Sequence, residues 1–362
     1  MARFETTRRG LIAGTAAAAA AALPKPALAQ GAPIRWRMVT SWPKDLPGPG
    51  ITAQRLVDRI ANVTNGRITV ALYSAGELVP ALSVLDAVAD GTAEMAHTAS
   101  FFWQGKMPAS VFFTAVPFGL TASEHAAWIY SGGAQALWDR LYEPFGAKPF
   151  MGGNTGMQMG GWYNREITGL DSLKGLKIRM PGLGGEIMRR LGATPVSTAP
   201  GEIGPALERG MIDAAEFLGP WSDYGMGLNK AARYYYWPGF HEPNGTGEAL
   251  IGLKHWQALD DDLKQAVATA CAAEDAISRA ESDWNNARVL QILKTKENVE
   301  LKAFPDDVLK AARENAGPVL DTFAARGGID AEILASFRAW RAESAEWTRV
   351  GVGAFMRARD GD

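Results

Sequence analysis

The chain has 362 residues, 37 of them basic and 39 acidic, and its formal net charge is −2. This balance argues against a nucleic-acid-binding protein, which needs clustered cationic contacts with the phosphate backbone. The length suits two domains of ordinary size. Cys271 is the single cysteine, so a disulfide within the chain is excluded, and its helical, alanine-rich surroundings favour a buried structural thiol.

The N-terminal residues have the composition of an export signal. Arg8 and Arg9 form a twin-arginine pair, and the apolar run from Leu11 to Leu23 is shorter than the roughly 20 residues of a membrane-spanning helix. Ala27-Leu28-Ala29 fits a small-x-small cleavage site. We therefore predict that residues 1–29 are a twin-arginine signal peptide and that the protein is periplasmic. The rival interpretations are a membrane anchor, a basic start that arose by chance, and export by the general route. Cleavage leaves 33 basic and 38 acidic residues.

The first part of the mature chain alternates between strand and helix patterns. Period-2 and period-3.6 hydrophobic patterns predict three strands and two helices, in the order strand 34–40, helix 52–63, strand 67–73, helix 81–90 and strand 93–98. This β-α-β-α-β order predicts a parallel sheet with helices on both faces.

A weak internal repeat suggests a second unit of similar build. Residues 82–96 read as a helix, a glycine at Gly91, an acidic residue and a strand, and residues 203–215 repeat that order around Gly210. Chance similarity over this length is the alternative. The second unit also has a predicted strand at 175–180 and a helix at 185–191, before the chain crosses back near 245–253.

The C-terminal part is predicted to be largely helical. A long, charged, alanine-rich helix covers about 260–294, a strand 299–304, and a further helix runs from Pro305 to about Arg326. Residues 330–357 then predict one helix with a single apolar stripe, made of Ile333, Phe337, Trp340, Trp347, Val350 and Ala354. This stripe either covers the chain's own core or packs on a second subunit.

These patterns predict an α/β protein with two lobes. We assign residues 30–155 to lobe 1 and 156–250 to lobe 2. Residues 251–329 form a long connecting helix and return segments shared by the lobes, and 330–362 form a C-terminal helix that a dimer can exchange.

Signatures of enzymes are scarce. The sequence has no G-x-S-x-G and no H-E-x-x-H motif, and its four histidines are not spaced like zinc ligands. Two glycine-rich segments, 152–156 and 181–185, lack the residues of a P-loop and the spacing of a dinucleotide-binding turn.

Polar side chains do occur where predicted strands end, which is where open α/β sheets hold ligands. Arg179 lies near the end of an apolar strand, and its planar guanidinium can hold a carboxylate with two parallel hydrogen bonds. Glu216 also follows a predicted strand. Gln158 lies between two methionines, and Glu242 lies in a Gly-Phe-His-Glu-Pro segment. The alternatives are a surface arginine paired with a nearby acid, and acids that are simply solvated.

At these residues the chain resembles the periplasmic binding subunits of TRAP transporters, most closely the branch that binds alpha-keto acids. The matches are Leu170–Arg179, Ala206–Glu216 and Glu242-Pro243, and the resemblance extends over nearly all of the mature chain. It implies a two-lobed periplasmic-binding-protein fold, with two mixed or parallel sheets flanked by helices, a long connecting helix and a long C-terminal helix. It also implies that the C-terminal helix can be swapped between two subunits.

The resemblance also implies the site residues. Arg179 corresponds to the arginine that binds the substrate carboxylate, and Gln158 to a glutamine that touches both ligand and cation. Glu216, Phe217 and Glu242 would complete the cation site, with Phe217 standing where the family usually has Trp. Phe101 and Phe102 resemble the aromatic pair that lines the pocket.

A bridging cation also makes electrostatic sense, because two carboxylates and an anionic substrate would otherwise face Arg179 alone. An all-oxygen ligand set fits Na⁺ or Ca²⁺ and disfavours zinc. We therefore expect a non-enzymatic subunit that binds a small monocarboxylate, a 2-oxoacid such as pyruvate or a 2-hydroxyacid such as lactate, and delivers it to TRAP membrane subunits. The alternatives are an exported metal-assisted enzyme acting on small acids and the binding subunit of a sensor.

Overall fold

The computed structural model describes residues 32–361, so the predicted signal peptide lies outside the described residues. Two mixed sheets form the framework. The eleven strands are β1 (Ile34–Thr40), β2 (Ile68–Tyr73), β3 (Met95–Thr98), β4 (Ala147–Asn154), β5 (Gly161–Tyr163), β6 (Lys177–Arg179), β7 (Thr194–Val196), β8 (Ala214–Ala215), β9 (Tyr234–Trp237), β10 (Thr246–Gly252) and β11 (Glu300–Ala303). The first sheet has the order β2-β1-β3-β10-β4 and the second β11-β9-β5-β8-β6-β7.

Thirteen α-helices of the described part of the chain surround these sheets. They are α1 (Pro49–Val63), α2 (Val84–Asp90), α3 (Ala122–Tyr130), α4 (Ala134–Tyr142), α5 (Gly182–Arg190), α6 (Ile203–Glu208), α7 (Pro220–Gly225), α8 (Leu228–Ala231), α9 (Leu253–Gln257), α10 (Asp261–Thr295), α11 (Asp306–Arg326), α12 (Gly328–Val350) and α13 (Val352–Asp360). The predicted fold class, two mixed sheets flanked by helices with long connecting and C-terminal helices, is confirmed.

The first sheet combines the predicted parallel strands with two antiparallel ones. β1 pairs in parallel with β2 and β3, as the β-α-β-α-β pattern predicted. β10 returns from the second sheet and pairs antiparallel with both β3 and β4. The division of the chain into lobes at the predicted residues remains a proposal, and the pairing of β10 indicates that residues after about 245 go with lobe 1.

The internal repeat corresponds to matching structure in the two sheets. Gly91 and Gly210 both adopt positive φ after a helix, at 84° and 66°, which glycine accepts without steric strain. Glu94 then accepts a hydrogen bond from the backbone N–H of Arg37 at 2.7 Å, and Asp213 accepts one from that of Lys177 at 2.9 Å. In each sheet the acid before one strand therefore bonds to the backbone of the parallel neighbour, in the middle of β1 and at the first residue of β6.

Helix α10 joins the two halves. It has 35 residues, about 52 Å at 1.5 Å per residue. Asp260 caps its first turn by accepting from the backbone N–H of Leu263 at 2.8 Å. The helix packs on β4 of the first sheet, on α1, and on α7 beside the second sheet. A single rigid helix therefore lies alongside both sheets.

The C-terminal segment differs from the prediction of one helix over 330–357. The helix is interrupted at Gly351, which separates α12 from α13. The first part of the apolar stripe covers the chain's own core, because Phe337 packs edge-on against Phe112 and Trp128. Trp340 is half-buried and donates to the carbonyl of Glu124 at 2.8 Å. Trp347, in contrast, is 74% exposed.

Candidate functional site

Residues that follow equivalent strands of the two sheets line one cavity. β3 is followed by the 3-10 turn Ser100–Trp103, and β8 is followed directly by Glu216 and Phe217. The cavity between them has an empty volume of about 540 Å³, part of it open to solvent. Its aromatic lining residues are Trp42, Phe101, Phe102 and Phe217, and its polar ones include His97, Asn154, Thr155, Gln158, Arg179 and Glu242.

Arg179 ends β6 and is 2% exposed. Its Nη1 donates to the Glu216 Oε1 at 2.5 Å and to the Glu216 backbone carbonyl at 2.7 Å. The guanidinium carbon lies 5.7 Å from the centre of the Phe217 ring. Within residues 32–361, Nη2 makes no side-chain hydrogen bond, so this nitrogen can donate to an anion in the cavity.

Glu216 lies behind Arg179 and is fully buried. Its Oε2 is 2.9 Å from His241 Nε2, so its two oxygens are held by different cationic or polar partners. His241 Nδ1 is buried and has no hydrogen-bond partner in the described part of the chain. The side chain of Glu216 does not line the cavity, in contrast to that of Glu242.

Glu242 faces the cavity from a buried position. Burial, and then the neighbouring Glu216 carboxylate, raises the pKa of Glu242 well above its ordinary value, against the opposing effect of Arg179. Ligand atoms of Glu216, His241 and Glu242 all lie within 4.8 Å of one another. This pair of crowded carboxylates is a cluster whose charge a cation would balance.

Gln158 supplies an amide oxygen to the same region. Its Nε2 donates to Thr155 Oγ1 at 3.1 Å, whereas its buried Oε1 has no hydrogen-bond partner among residues 32–361. Buried polar atoms normally have a partner, so this oxygen is available to a ligand in the cavity. Carboxylate and amide oxygens are hard donors that suit Na⁺ or Ca²⁺. The residues therefore fit a cation of this kind.

Gln158 and Glu242 lie on the two short segments that connect the sheets. The first, residues 155–160, joins β4 to β5, and the second, residues 238–245, joins β9 to β10. Glycines allow these segments to approach closely: a Cβ on Gly245 would lie 2.3 Å from Gln158 Nε2, and one on Gly239 would lie 2.3 Å from the Gln158 carbonyl oxygen. A change in the angle between the two sheets would therefore change the positions of Gln158 and Glu242.

Comparison with known proteins identifies the family. Residues 40–326 match the family model of the bacterial extracellular solute-binding proteins, family 7. The chain belongs to this family. It is therefore an extracellular solute-binding protein and not an enzyme. The resemblance to TRAP transporter binding subunits is confirmed by the relatives described next.

Three relatives are similar over most of their length. A monocarboxylate 2-oxoacid-binding periplasmic protein of Nostoc sp. is 41% identical over 317 residues, 88% of this chain and 86% of the relative. A TRAP periplasmic solute-binding protein from Pseudoalteromonas atlantica, solved with sodium and pyruvate, has a TM-score of 0.87 and 35% identity, covering 90% of this chain and 99% of its own. One from Bordetella bronchiseptica, a mixed-occupancy dimer with calcium and picolinate, has a TM-score of 0.88 and 35% identity, with 91% and 98% coverage.

The sequence patterns do not predict several residues of this solute-binding protein's site. The histidine spacing excludes a zinc site but does not predict the contact of His241 with Glu216, for which its position next to Glu242 is the one signal in the sequence. His97 accepts from Trp42 Nε1 at 2.7 Å and thereby orients a wall of the cavity. Burial lowers the pKa of His97 to about 4, so this imidazole is neutral. Asn154 donates to Thr246 Oγ1 at 3.3 Å, and nothing in the local sequence indicated that pair.

None of the helices within residues 32–361 is both long enough and apolar enough to cross a membrane.

Proposed function

We propose that this solute-binding protein captures a small monocarboxylate, a 2-oxoacid such as pyruvate or a 2-hydroxyacid such as lactate, and delivers it to TRAP membrane subunits. The observation that carries the proposal is Arg179, a buried arginine with Nη2 available at the wall of a small aromatic cavity. A guanidinium in such a place pairs with a carboxylate. The pyruvate and 2-oxoacid described for two of the relatives support this substrate class.

The substrate is proposed to bind together with Na⁺ or Ca²⁺. Glu216 and Glu242 with an anionic substrate would place three negative groups beside the single guanidinium of Arg179, and desolvation makes such an imbalance costly. Gln158, Glu216, Glu242 and the backbone of Phe217 would hold the ion. When bound, the ion supplies positive charge to the oxygens of the substrate. The relatives with sodium or calcium support this assignment.

The remaining predicted residues shape the pocket. Phe101 and Phe102 lie on the same 3-10 turn with ring centres 4.7 Å apart, and Phe217 lines the same cavity beside the Arg179 guanidinium. Their apolar faces exclude water from the charged end of the site and suit a short apolar substrate tail. Export through the twin-arginine signal of residues 1–29 would bring the protein to the periplasm.

Calorimetric titration of the purified mature protein tests the proposal. Pyruvate and lactate are titrated in buffer stripped of metal, and again with Na⁺ or Ca²⁺, with succinate as the dicarboxylate control. We expect tight binding of at least one monocarboxylate, and a lower Kd in the presence of Na⁺ or Ca²⁺ than in the buffer stripped of metal. Absence of binding of either acid under all conditions, or a preference for succinate, would contradict it.

Gly245 offers a steric test of the Gln158 assignment. Gly245→Ala should lower pyruvate affinity by about tenfold or more, because its Cβ would meet Gln158 Nε2 at 2.3 Å and Thr155 Oγ1 at 2.7 Å and displace the amide. The φ of Gly245 lies outside the left-handed region, so the backbone accepts alanine. Gly317→Ala is the control for a glycine-to-alanine change away from the cavity, since Gly317 is exposed on α11 and its Cβ would meet nothing within 4 Å. Equal affinities of both variants, measured by calorimetry, would argue against a role for Gln158.

We also propose that the protein is a homodimer held by its C-terminal helices. Trp347, Val352 and Phe355 are 74%, 60% and 62% exposed in one chain, and such an apolar cluster is unusual on a monomer. Light scattering should give twice the monomer mass for the wild type and the monomer mass for the double variant W347S/F355S. Deletion of 330–362 should instead give an unstable protein, because it removes the core residue Phe337. A monomeric wild type at high concentration would end the dimer proposal.

A further inference from the structure

Glu248 is a buried acid in the first sheet that the proposed binding chemistry does not use. It lies on β10, opposite Thr98 of β3 and Met151 of β4, and is fully buried. Burial raises its pKa to about 7, against the opposing effect of neighbouring hydrogen-bond donors. An acid between two sheet neighbours is costly to desolvate, so its hydrogen-bond partners indicate what it stabilises.

The hydrogen bonds with good geometry come from the two ends of one short turn, while Tyr142 and Trp138 of α4 lie beside the carboxyl group without completing a hydrogen bond to it. Ser100 Oγ donates to Glu248 Oε1 at 2.8 Å, and Trp103 Nε1 donates to Glu248 Oε2 at 3.1 Å. Ser100 and Trp103 are both buried and bracket the half-buried pair Phe101 and Phe102. The carboxyl group therefore spans the 3-10 turn and fixes both of its ends to β10.

The turn presents its two central side chains to the cavity. Phe102 lies with its ring centre 6.1 Å from that of Trp42, and Phe101 is held by its backbone N–H, which donates to Thr114 Oγ1 at 3.1 Å. Phe101 also lies against Gly182, where a Cβ would be 3.6 Å from the Phe101 Cβ. Gly182 begins α5, three residues after Arg179. The turn thus meets the part of the second lobe that carries the substrate-binding arginine.

We infer that Glu248 is a positioning residue, which holds the Ser100–Trp103 turn so that Phe101 and Phe102 are preorganised for the ligand. This inference rests on the proposed function, since it assumes that the cavity lined by the two phenylalanines is the ligand site. A side chain that is already fixed loses less freedom on binding, and this preorganisation raises affinity.

Glutamine provides the conservative variant. Its Oε1 accepts from Trp103 Nε1, and its Nε2 donates to Ser100 Oγ, so Glu248→Gln retains both hydrogen bonds and matches a protonated carboxyl group in shape. Glu248→Leu removes both bonds while keeping the volume. Ser100→Ala and Trp103→Phe each remove one bond and serve where the leucine variant fails to fold.

The first measurement needs no ligand. Hydrogen exchange of residues 99–104 in the ligand-free protein should be faster in Glu248→Leu, or in Ser100→Ala and Trp103→Phe, and unchanged in Glu248→Gln. Unchanged exchange in all of the bond-removing variants would overturn the inference, whatever the protein binds.

The second measurement is a double-mutant cycle on pyruvate Kd, in the cation that supports wild-type binding. Glu248→Leu should weaken binding about tenfold and Glu248→Gln less than about threefold. In a Phe101→Leu/Phe102→Leu background the effect of Glu248→Leu should largely disappear. Glu248 would have a purely structural role if Glu248→Leu weakened binding equally in that background. The same conclusion would follow if Glu248→Leu lowered the melting temperature but left the pyruvate Kd unchanged. Failure of the wild type to bind pyruvate would count against the proposed function, while hydrogen exchange would still decide the role of Glu248.

Discussion

Arg179→Ala is expected to lower the affinity for pyruvate, and for every other monocarboxylate that the protein binds, by about 30-fold or more. Removing one partner of a buried, charge-assisted pair costs roughly 2–5 kcal/mol, and 1.4 kcal/mol corresponds to a factor of ten in Kd. The effect should be uniform across monocarboxylates, because the guanidinium would contact the carboxylate that they share and not the tail that distinguishes them.

The same substitution should also destabilise the protein. Glu216 accepts from Arg179 Nη1 at 2.5 Å and is fully buried, so the variant leaves one of its oxygens without the guanidinium. Loss of one partner of a buried ion pair is strongly destabilising, and the melting temperature of the ligand-free variant should fall. Binding must therefore be measured well below that temperature, with the fold checked by circular dichroism.

Arg189→Ala is the matched control, because Arg189 is an exposed arginine on α5 of the same lobe. It should leave both affinity and melting temperature close to those of the wild type. A folded Arg179→Ala variant that binds pyruvate as tightly as the wild type would remove Arg179 from the site, and with it the main support for a carboxylate ligand.

The elements that the sequence predicted well are those defined by local patterns. The strand at 34–40 has its predicted bounds, and the long helix predicted at about 260–294 is found at Asp261–Thr295, because alternation and a capping aspartate act over a few residues. Arg179 lies at the cavity for a related reason, because residues at the ends of strands share one edge of a sheet. Glu242, in contrast, lies within the segment between β9 and β10, and its place in the site was predicted from the family resemblance.

The features that the sequence did not predict depend on contacts between distant residues. The ion pair of Glu216 with Arg179 and its contact with His241 join three separate segments, and no spacing in the sequence encodes such a cluster. The hydrogen bonds of Glu248 with Ser100 and Trp103 similarly form only because β10 lies beside β3. The break at Gly351 was missed because the apolar stripe continues through it, so periodicity alone favoured one helix.

Glu242→Gln is expected to weaken cation binding and substrate binding together, each by at least about tenfold. Glutamine has the size of glutamate but no charge, and Glu242 is buried within 4.8 Å of the ligand atoms of Glu216 and His241, so the substitution changes mainly the electrostatic balance of the site. If one ion touches both Glu242 and the substrate, the cation and the substrate must each raise the other's affinity by the same factor.

Titration of pyruvate at several fixed concentrations of Na⁺ or Ca²⁺ measures that factor in the wild type, and the reverse titration must return the same value. In Glu242→Gln the factor should fall toward one, because the ion that transmits the coupling is held less tightly. Glu208→Gln, which neutralises an exposed acid on α6, should leave the factor unchanged and so controls for the general effect of lost charge. A wild-type pyruvate affinity that is independent of both cations would show that no ion bridges the protein and its substrate. In that case the crowding of Glu216 and Glu242 would have to be offset by Arg179, by the contact of Glu216 with His241 and by the raised pKa of Glu242, which favours its neutral form.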